Sequence, residues 1–77
     1  MNDSVKVPFL LTSLYYKEEK YGEAIAYAAP LIASQTPLDQ KESIHLYLAE
    51  AYYASKDFEN AAQQYEAFDS IQKGELS

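Results

Sequence analysis

The residues of this chain that could take part in chemistry are few. His45 is the single histidine, and neither cysteine nor arginine is present. Asp39 and Glu42 lie close enough in helical register to flank His45, so the three side chains could hold a metal ion weakly. Ser43 is also a near neighbour, but adjacent positions of a helix do not face each other as nucleophile and base. We therefore predict that the chain is not an enzyme, with no catalytic residue, no metal site and no cofactor.

The charge of the chain argues against two further classes of partner. Twelve acidic residues outnumber six lysines, which gives a net charge of −6. Nucleic acids and anionic membrane surfaces are bound by dense positive charge on one face. No apolar run is long enough to span a bilayer. We therefore expect neither nucleic acid binding nor membrane insertion.

The N-terminal segment does not resemble an export signal. Its apolar stretch is short, with no basic segment before it and no small-residue cleavage site after it. We expect a cytoplasmic product as the sequence is written, and an exported one only if a longer parent chain carried a signal that was removed.

Apolar residues recur at helical spacing along nearly the whole chain, and no alternating strand pattern competes. The predicted helices run from about Val5 to Lys20, from Tyr21 or Gly22 to Ser34, from about Pro37 to Ser55, and from about Phe58 to Lys73. We expect Pro30 to bend the second helix. Other residues mark the predicted helix ends. Ser4, Thr36 and Asp57 are candidate N-terminal caps, and Gly74 is a candidate stop for the last helix.

The second half of the chain repeats the first at an offset of 37 residues. The residues that match across this offset are Leu11, Tyr15, Tyr16, Tyr21 and Ala24 in the first half, and Leu48, Tyr52, Tyr53, Phe58 and Ala61 in the second. A repeat of this length is typical of stacked helical arrays, in which one unit cannot bury its apolar face without a neighbour.

The two copies resemble the tetratricopeptide repeat, a helix–turn–helix unit of about 34 residues. The matching positions are Leu48, Ala49, Tyr52, Ala61 and Tyr65 in the second copy, and Leu11, Tyr15 and Ala24 in the first. The departures are Pro8 and His45 in place of Trp, Thr12 in place of a small residue, Ala28 in place of an aromatic, and Glu19 and Lys56 in place of the turn glycine. The resemblance implies an all-α fold of two stacked antiparallel helix pairs in one domain, with repeats at about 5–35 and 37–73.

The resemblance also implies a function. Proteins of this family mostly bind a protein or peptide in a groove lined by the first helix of each pair. The corresponding residues here are Lys6, Phe9, Ser13, Tyr16, Lys17, Leu46, Glu50 and Tyr53. Two lysines are expected at one end of this surface and Glu50 at the other. Tyr16 and Tyr53 could act as paired anchors for a partner, or could merely cover the edge of the core.

Two repeats are fewer than the three or so that such arrays usually need for stability. We therefore expect an outer face of the last helix pair that stays apolar unless covered, and self-association through exposed end helices into a homodimer or larger species. Two alternatives remain beside the interaction module. The chain could be a structural segment of a larger multi-repeat assembly protein, or a helical accessory region of an enzyme.

Overall fold

The computed structural model describes residues 6–35 and 37–74 of the chain. Its helices are α1 (Val7–Lys17), α2 (Tyr21–Ala33), α3 (Lys41–Ala54) and α4 (Phe58–Gln72), and the described residues contain no strand. Helix α1 packs on α2 and α3 packs on α4, while α3 also contacts both α1 and α2. The predicted all-α fold of two stacked helix pairs is confirmed. We call α1–α2 the first hairpin and α3–α4 the second hairpin.

The turns of the two hairpins have the same backbone structure. Glu19 and Lys56 adopt left-handed φ angles of 61° and 66°. In each turn the following N–H, from Lys20 or Asp57, donates to a carbonyl five residues back at 2.8 Å. This pattern satisfies carbonyls at the end of the first helix and is commonly completed by glycine. It ends α1 at Lys17, three residues before the predicted end.

The third helix begins later than the sequence predicts. Gln40 has a φ of 54°, in the left-handed region, and α3 starts at Lys41 instead of Pro37. A right-handed helix cannot continue backwards through such a residue. Asp39 therefore precedes the helix and does not occupy its first turn.

The remaining helix signals have mixed outcomes. The Asp57 carboxylate accepts from the Asn60 N–H at 3.4 Å, as predicted for the cap of α4, and Gly74 follows the end of α4 with a φ of 75°. Helix α2 continues past Pro30 to Ala33, so the proline does not break it. The predicted caps Ser4 and Thr36 lie outside the described residues.

The core lies between α2 and α3. Ala28, Ile44 and Leu48 are fully buried there, and half-buried apolar residues from both hairpins pack around them. Ala24 and Ala61, which correspond across the 37-residue offset, are both buried, one in each hairpin. Side chains this small let helix axes approach closely. This packing holds α1 and α3 side by side, and so sets the surface that these two helices share.

Candidate functional site

The residues predicted for the groove belong to α1 and α3, apart from Lys6, which immediately precedes α1. We call this set of residues the groove face. Lys6, Lys17 and Tyr53 are exposed, while four others, Phe9, Tyr16, Leu46 and Glu50, are half-buried. Ser13 is buried, and its hydroxyl donates to the Leu10 carbonyl at 3.0 Å. Ser13 therefore offers little to a partner, which corrects its assignment as a contact residue.

The two lysines do not lie together as expected. Lys6 immediately precedes α1 and Lys17 is its last residue, so a helix length of about 16 Å separates their backbones. The groove face therefore carries one ammonium group near each end of α1, and the Glu50 carboxylate lies on the neighbouring helix.

An aromatic cluster joins the two hairpins along this surface. The Tyr47 ring lies between Phe9 and Tyr16, with centroid distances of 6.1 and 5.1 Å. Tyr16 also meets Tyr21 of α2 edge-on at 5.9 Å. Aromatic rings favour such tilted and edge contacts over flat stacking. Phe9 and Tyr16 are thus part of the contact between the hairpins as well as part of the groove face.

Glu50 links three helices through two tyrosine hydroxyls. The Tyr16 hydroxyl donates to Glu50 Oε1 at 3.3 Å, and the Tyr65 hydroxyl of α4 donates to Oε2 at 3.1 Å. Burial, and then the nearby Glu50 carboxylate, raise the pKa of both tyrosines above its ordinary value. Both hydroxyls therefore remain protonated donors at neutral pH, and the carboxylate is held in place on the groove face.

Tyr53 lies in a different environment from Tyr16, although the two correspond across the offset. Its ring meets Phe58 edge-on at 5.1 Å, and both side chains are more than half exposed, at 60% and 56%. Tyr16 is held by the second hairpin, whereas Tyr53 presents its ring to solvent. Of the two proposed anchors, Tyr53 is the one that a partner can reach without rearrangement.

His45 is a structural residue in this fold. Its ring is only 6% exposed, and its Nδ1 donates to the Gln64 amide oxygen at 2.6 Å. Burial lowers the pKa of His45 from its ordinary 6.5, Lys41 lowers it further, and the hydrogen bond to Gln64 opposes both effects. The neutral ring ties α3 to α4. Across 6–35 and 37–74, no three acidic, histidine or cysteine side chains are grouped to hold a metal ion.

Sequence reasoning missed the contributions of Tyr47 and Tyr65 to the site. Tyr47 was not assigned a contact, although an aromatic residue stands there where the first half has Leu10. Tyr65 matches the repeat pattern in the second copy, but its bond to Glu50 joins residues 15 positions apart. The single visible signal was the high tyrosine content of eight residues, since buried tyrosines usually find a hydrogen-bond partner.

Comparisons of this chain with protein-family models, with curated proteins and with solved structures gave no match. Within the part of the chain that the structure describes, no helix combines the length and apolarity needed to cross a bilayer. The functional interpretation therefore depends on the geometry of the groove face.

Proposed function

We propose that this chain is a protein-interaction module of the tetratricopeptide type, which binds a peptide or a protein partner on its groove face. The observation that supports the proposal most strongly is Tyr53, a large aromatic side chain left 60% exposed beside Leu46 and the fixed Glu50 carboxylate. Exposed aromatic residues on a well-packed surface are the ones that most often dominate binding energy.

The groove face offers a partner three kinds of contact. The Tyr53 ring and Leu46 supply apolar surface, and Lys6 and Lys17 supply exposed ammonium groups at the two ends of α1. Glu50 supplies a carboxylate whose orientation is set by Tyr16 and Tyr65. Because the Glu50 carboxylate is already positioned, a partner that binds it loses little free energy in ordering it.

The test begins by selecting ligands for the wild-type chain from a random-peptide phage library. The affinities of the enriched peptides are then measured by fluorescence anisotropy for the double variant Lys17→Ala/Tyr53→Ala. We expect the dissociation constant to rise about tenfold or more, which corresponds to about 1.4 kcal/mol of binding free energy. Tyr16 is left intact in this variant because its loss would also weaken the contact between the hairpins.

The matched control removes one lysine and one other long side chain that do not belong to the groove face. In Gln63→Ala/Lys73→Ala one change lies at an exposed position of α4 and the other at the exposed residue that follows its last residue, and peptide affinity should stay at the wild-type value. Equal affinities for both double variants would show that the groove face is not the binding site. Failure of the wild-type chain to enrich any peptide over a blank surface would contradict the proposal as a whole.

A structural role in a larger assembly of such hairpins is the second candidate function. It is favoured by the exposed apolar side chains at the two ends of the stack, Val7, Leu10 and Leu14 at one end and Tyr53 and Phe58 at the other. The same observation supports self-association of the chain through its end helices.

A further inference from the structure

The large apolar side chains that the described residues leave exposed fall on two surfaces, one at each end of the stack. Val7, Leu10 and Leu14 are 48–58% exposed on the outer side of α1, and we call them the N-terminal face. Tyr53 and Phe58 lie at the other end beside the outer side of α4. We call these two residues, with Ala62, Glu66 and Asp69 of α4, the C-terminal face.

The N-terminal face corresponds to a surface that is buried inside the same molecule. Across the 37-residue offset its three residues become Ile44, Tyr47 and Ala51. Ile44 and Ala51 have no exposed surface, and the Tyr47 ring packs between Phe9 and Tyr16. Helix α3 uses this surface to pack against the first hairpin, whereas the corresponding surface of α1 is exposed.

The C-terminal face corresponds to the other side of that internal contact. Tyr16 and Tyr21 meet edge-on, and Tyr16 is then covered by Tyr47 of α3. Tyr53 and Phe58 form the same edge-on pair with nothing packed over it in the described residues. The two ends thus carry the two halves of an interface that forms once within the chain.

The outer side of α4 differs from this pattern in its polarity. Ala62, Glu66 and Asp69 stand where α2 has Ile25, Ala29 and Ile32, which pack against the core. The expectation that the outer face of the last pair stays apolar therefore holds at Tyr53 and Phe58, but not along α4. A helix whose outer side is acidic forms a weaker contact than the internal one.

Charge favours one pairing of the two faces over the others. The segment from Lys6 to Lys17 carries two lysines and no acidic residue. The exposed side of α4 carries Glu59 and Glu66, together with Asp69, which is paired with Lys73 at 3.0 Å. Two N-terminal faces would bring lysines together, and two C-terminal faces would bring carboxylates together. An N-terminal face against a C-terminal face pairs opposite charges.

We propose that the N-terminal face binds the C-terminal face of a second copy of this chain, head to tail. Leu10 of one copy would lie over Leu46 and Tyr53 of the next, as Tyr47 lies over Phe9 and Tyr16 within one copy. Such a contact leaves one free face at each end of the pair, so assembly is open-ended and grows with concentration. Because opposite charges contribute, added salt weakens it. Assembly itself needs no ligand on the groove face, although it would cover Leu46 and Tyr53, which belong to that face.

The test uses two variants, each of which blocks one face. Leu10→Glu introduces a carboxylate into the N-terminal face, and Phe58→Glu does so in the C-terminal face at the first position of α4, where negative charge is tolerated. In sedimentation equilibrium the wild-type mass should rise with concentration beyond that of a dimer, while each variant alone remains a monomer. An equimolar mixture of the two should form a one-to-one heterodimer, because each supplies the face that the other lacks.

The control variant Ala26→Glu changes an exposed position of α2, and it should assemble like the wild-type chain. Circular dichroism shows whether each variant is folded. If one of the glutamate variants is not folded, Leu14→Gln and Phe58→Gln provide a milder pair. Monomeric wild-type chain at every concentration would overturn the proposal. So would dimerisation of Phe58→Glu alone without heterodimer formation, because that result indicates a symmetric contact between two α1 helices.

Discussion

The pairs Tyr16–Tyr21 and Tyr53–Phe58 are the same structural feature in two different surroundings. Their ring centroids are 5.9 and 5.1 Å apart, and their planes cross at 64° and 68°. The first pair is covered by Tyr47 and bonded to Glu50, whereas the second is open to solvent. The hairpin therefore determines the local geometry, and the presence of a neighbouring hairpin determines whether a residue supports the core or remains free to bind a partner.

The largest expected effect comes from a difference in burial between corresponding residues of the two hairpins. Leu48 is fully buried, while its counterpart Leu11 is half-buried. Leu48→Ala should lower the free energy of unfolding by about 3 kcal/mol, and Leu11→Ala by roughly half as much. Urea denaturation followed by circular dichroism measures both losses. Equal losses would mean that Leu11 and Leu48 are packed alike.

The second prediction concerns pH, because only the second hairpin carries a histidine, with Pro8 at the corresponding position. Burial lowers the pKa of folded His45 below 6.5, so the unfolded chain binds more protons in that range. The free energy of unfolding should therefore fall as the pH drops below 6.5, with a slope of at most about 1.4 kcal/mol per pH unit. His45→Gln should remove this slope above about pH 5, where model carboxylates are mostly ionised. An unchanged slope in this variant would assign the effect to other groups.

The third prediction concerns a buried hydroxyl in the first hairpin. Thr12 is fully buried and its Oγ1 has no hydrogen-bond partner among residues 6–35 and 37–74, whereas the counterpart Ala49 has no polar side-chain atom. An unpaired buried hydroxyl is destabilising, so Thr12→Val, which keeps the shape, should raise the free energy of unfolding by about 1 kcal/mol. Thr12→Ser keeps the hydroxyl and serves as the control, with no gain expected. A loss of stability in Thr12→Val would show that the hydroxyl is satisfied in solution.

The smallest expected effect tests whether the two turns are equivalent. Glu19 and Lys56 both hold left-handed backbone angles that glycine adopts without steric cost. Glu19→Gly and Lys56→Gly should each be more stable than the corresponding alanine variant by about 1 kcal/mol or less. Comparison with alanine removes the effect of the lost charge. A gain in stability at one turn only would show that the two turns differ in backbone strain, although their hydrogen bonds match.

The features that the sequence predicted correctly are those set within one helix or one turn. The periodic apolar residues were sufficient for the helix order, and the cap at Asp57 was visible because it acts three residues away. The late start of α3 was not visible, since Pro37 favours a helix start and only the observed backbone places Gln40 in the left-handed region. The residues that link the hairpins, Tyr47 and Tyr65, depend on contacts between distant segments that no local pattern encodes.

The same limit applies to the candidate site. Lys17 and Tyr53 are exposed, and their assignment to the groove face rests on helical register alone. The burial of Ser13 and the fixed role of Tyr16 depend on how the second hairpin packs over α1. Register alone could not separate the residues that form this contact from those that remain free beside it.

The contact between the hairpins is the feature from which both proposals derive, and nuclear Overhauser effects between aromatic rings in solution test it most directly. The structure predicts cross-peaks from the Tyr47 ring to both Phe9 and Tyr16, and from the Tyr53 ring to Phe58. Absence of both Tyr47 cross-peaks in the folded chain would show that α1 and α3 do not form a shared surface.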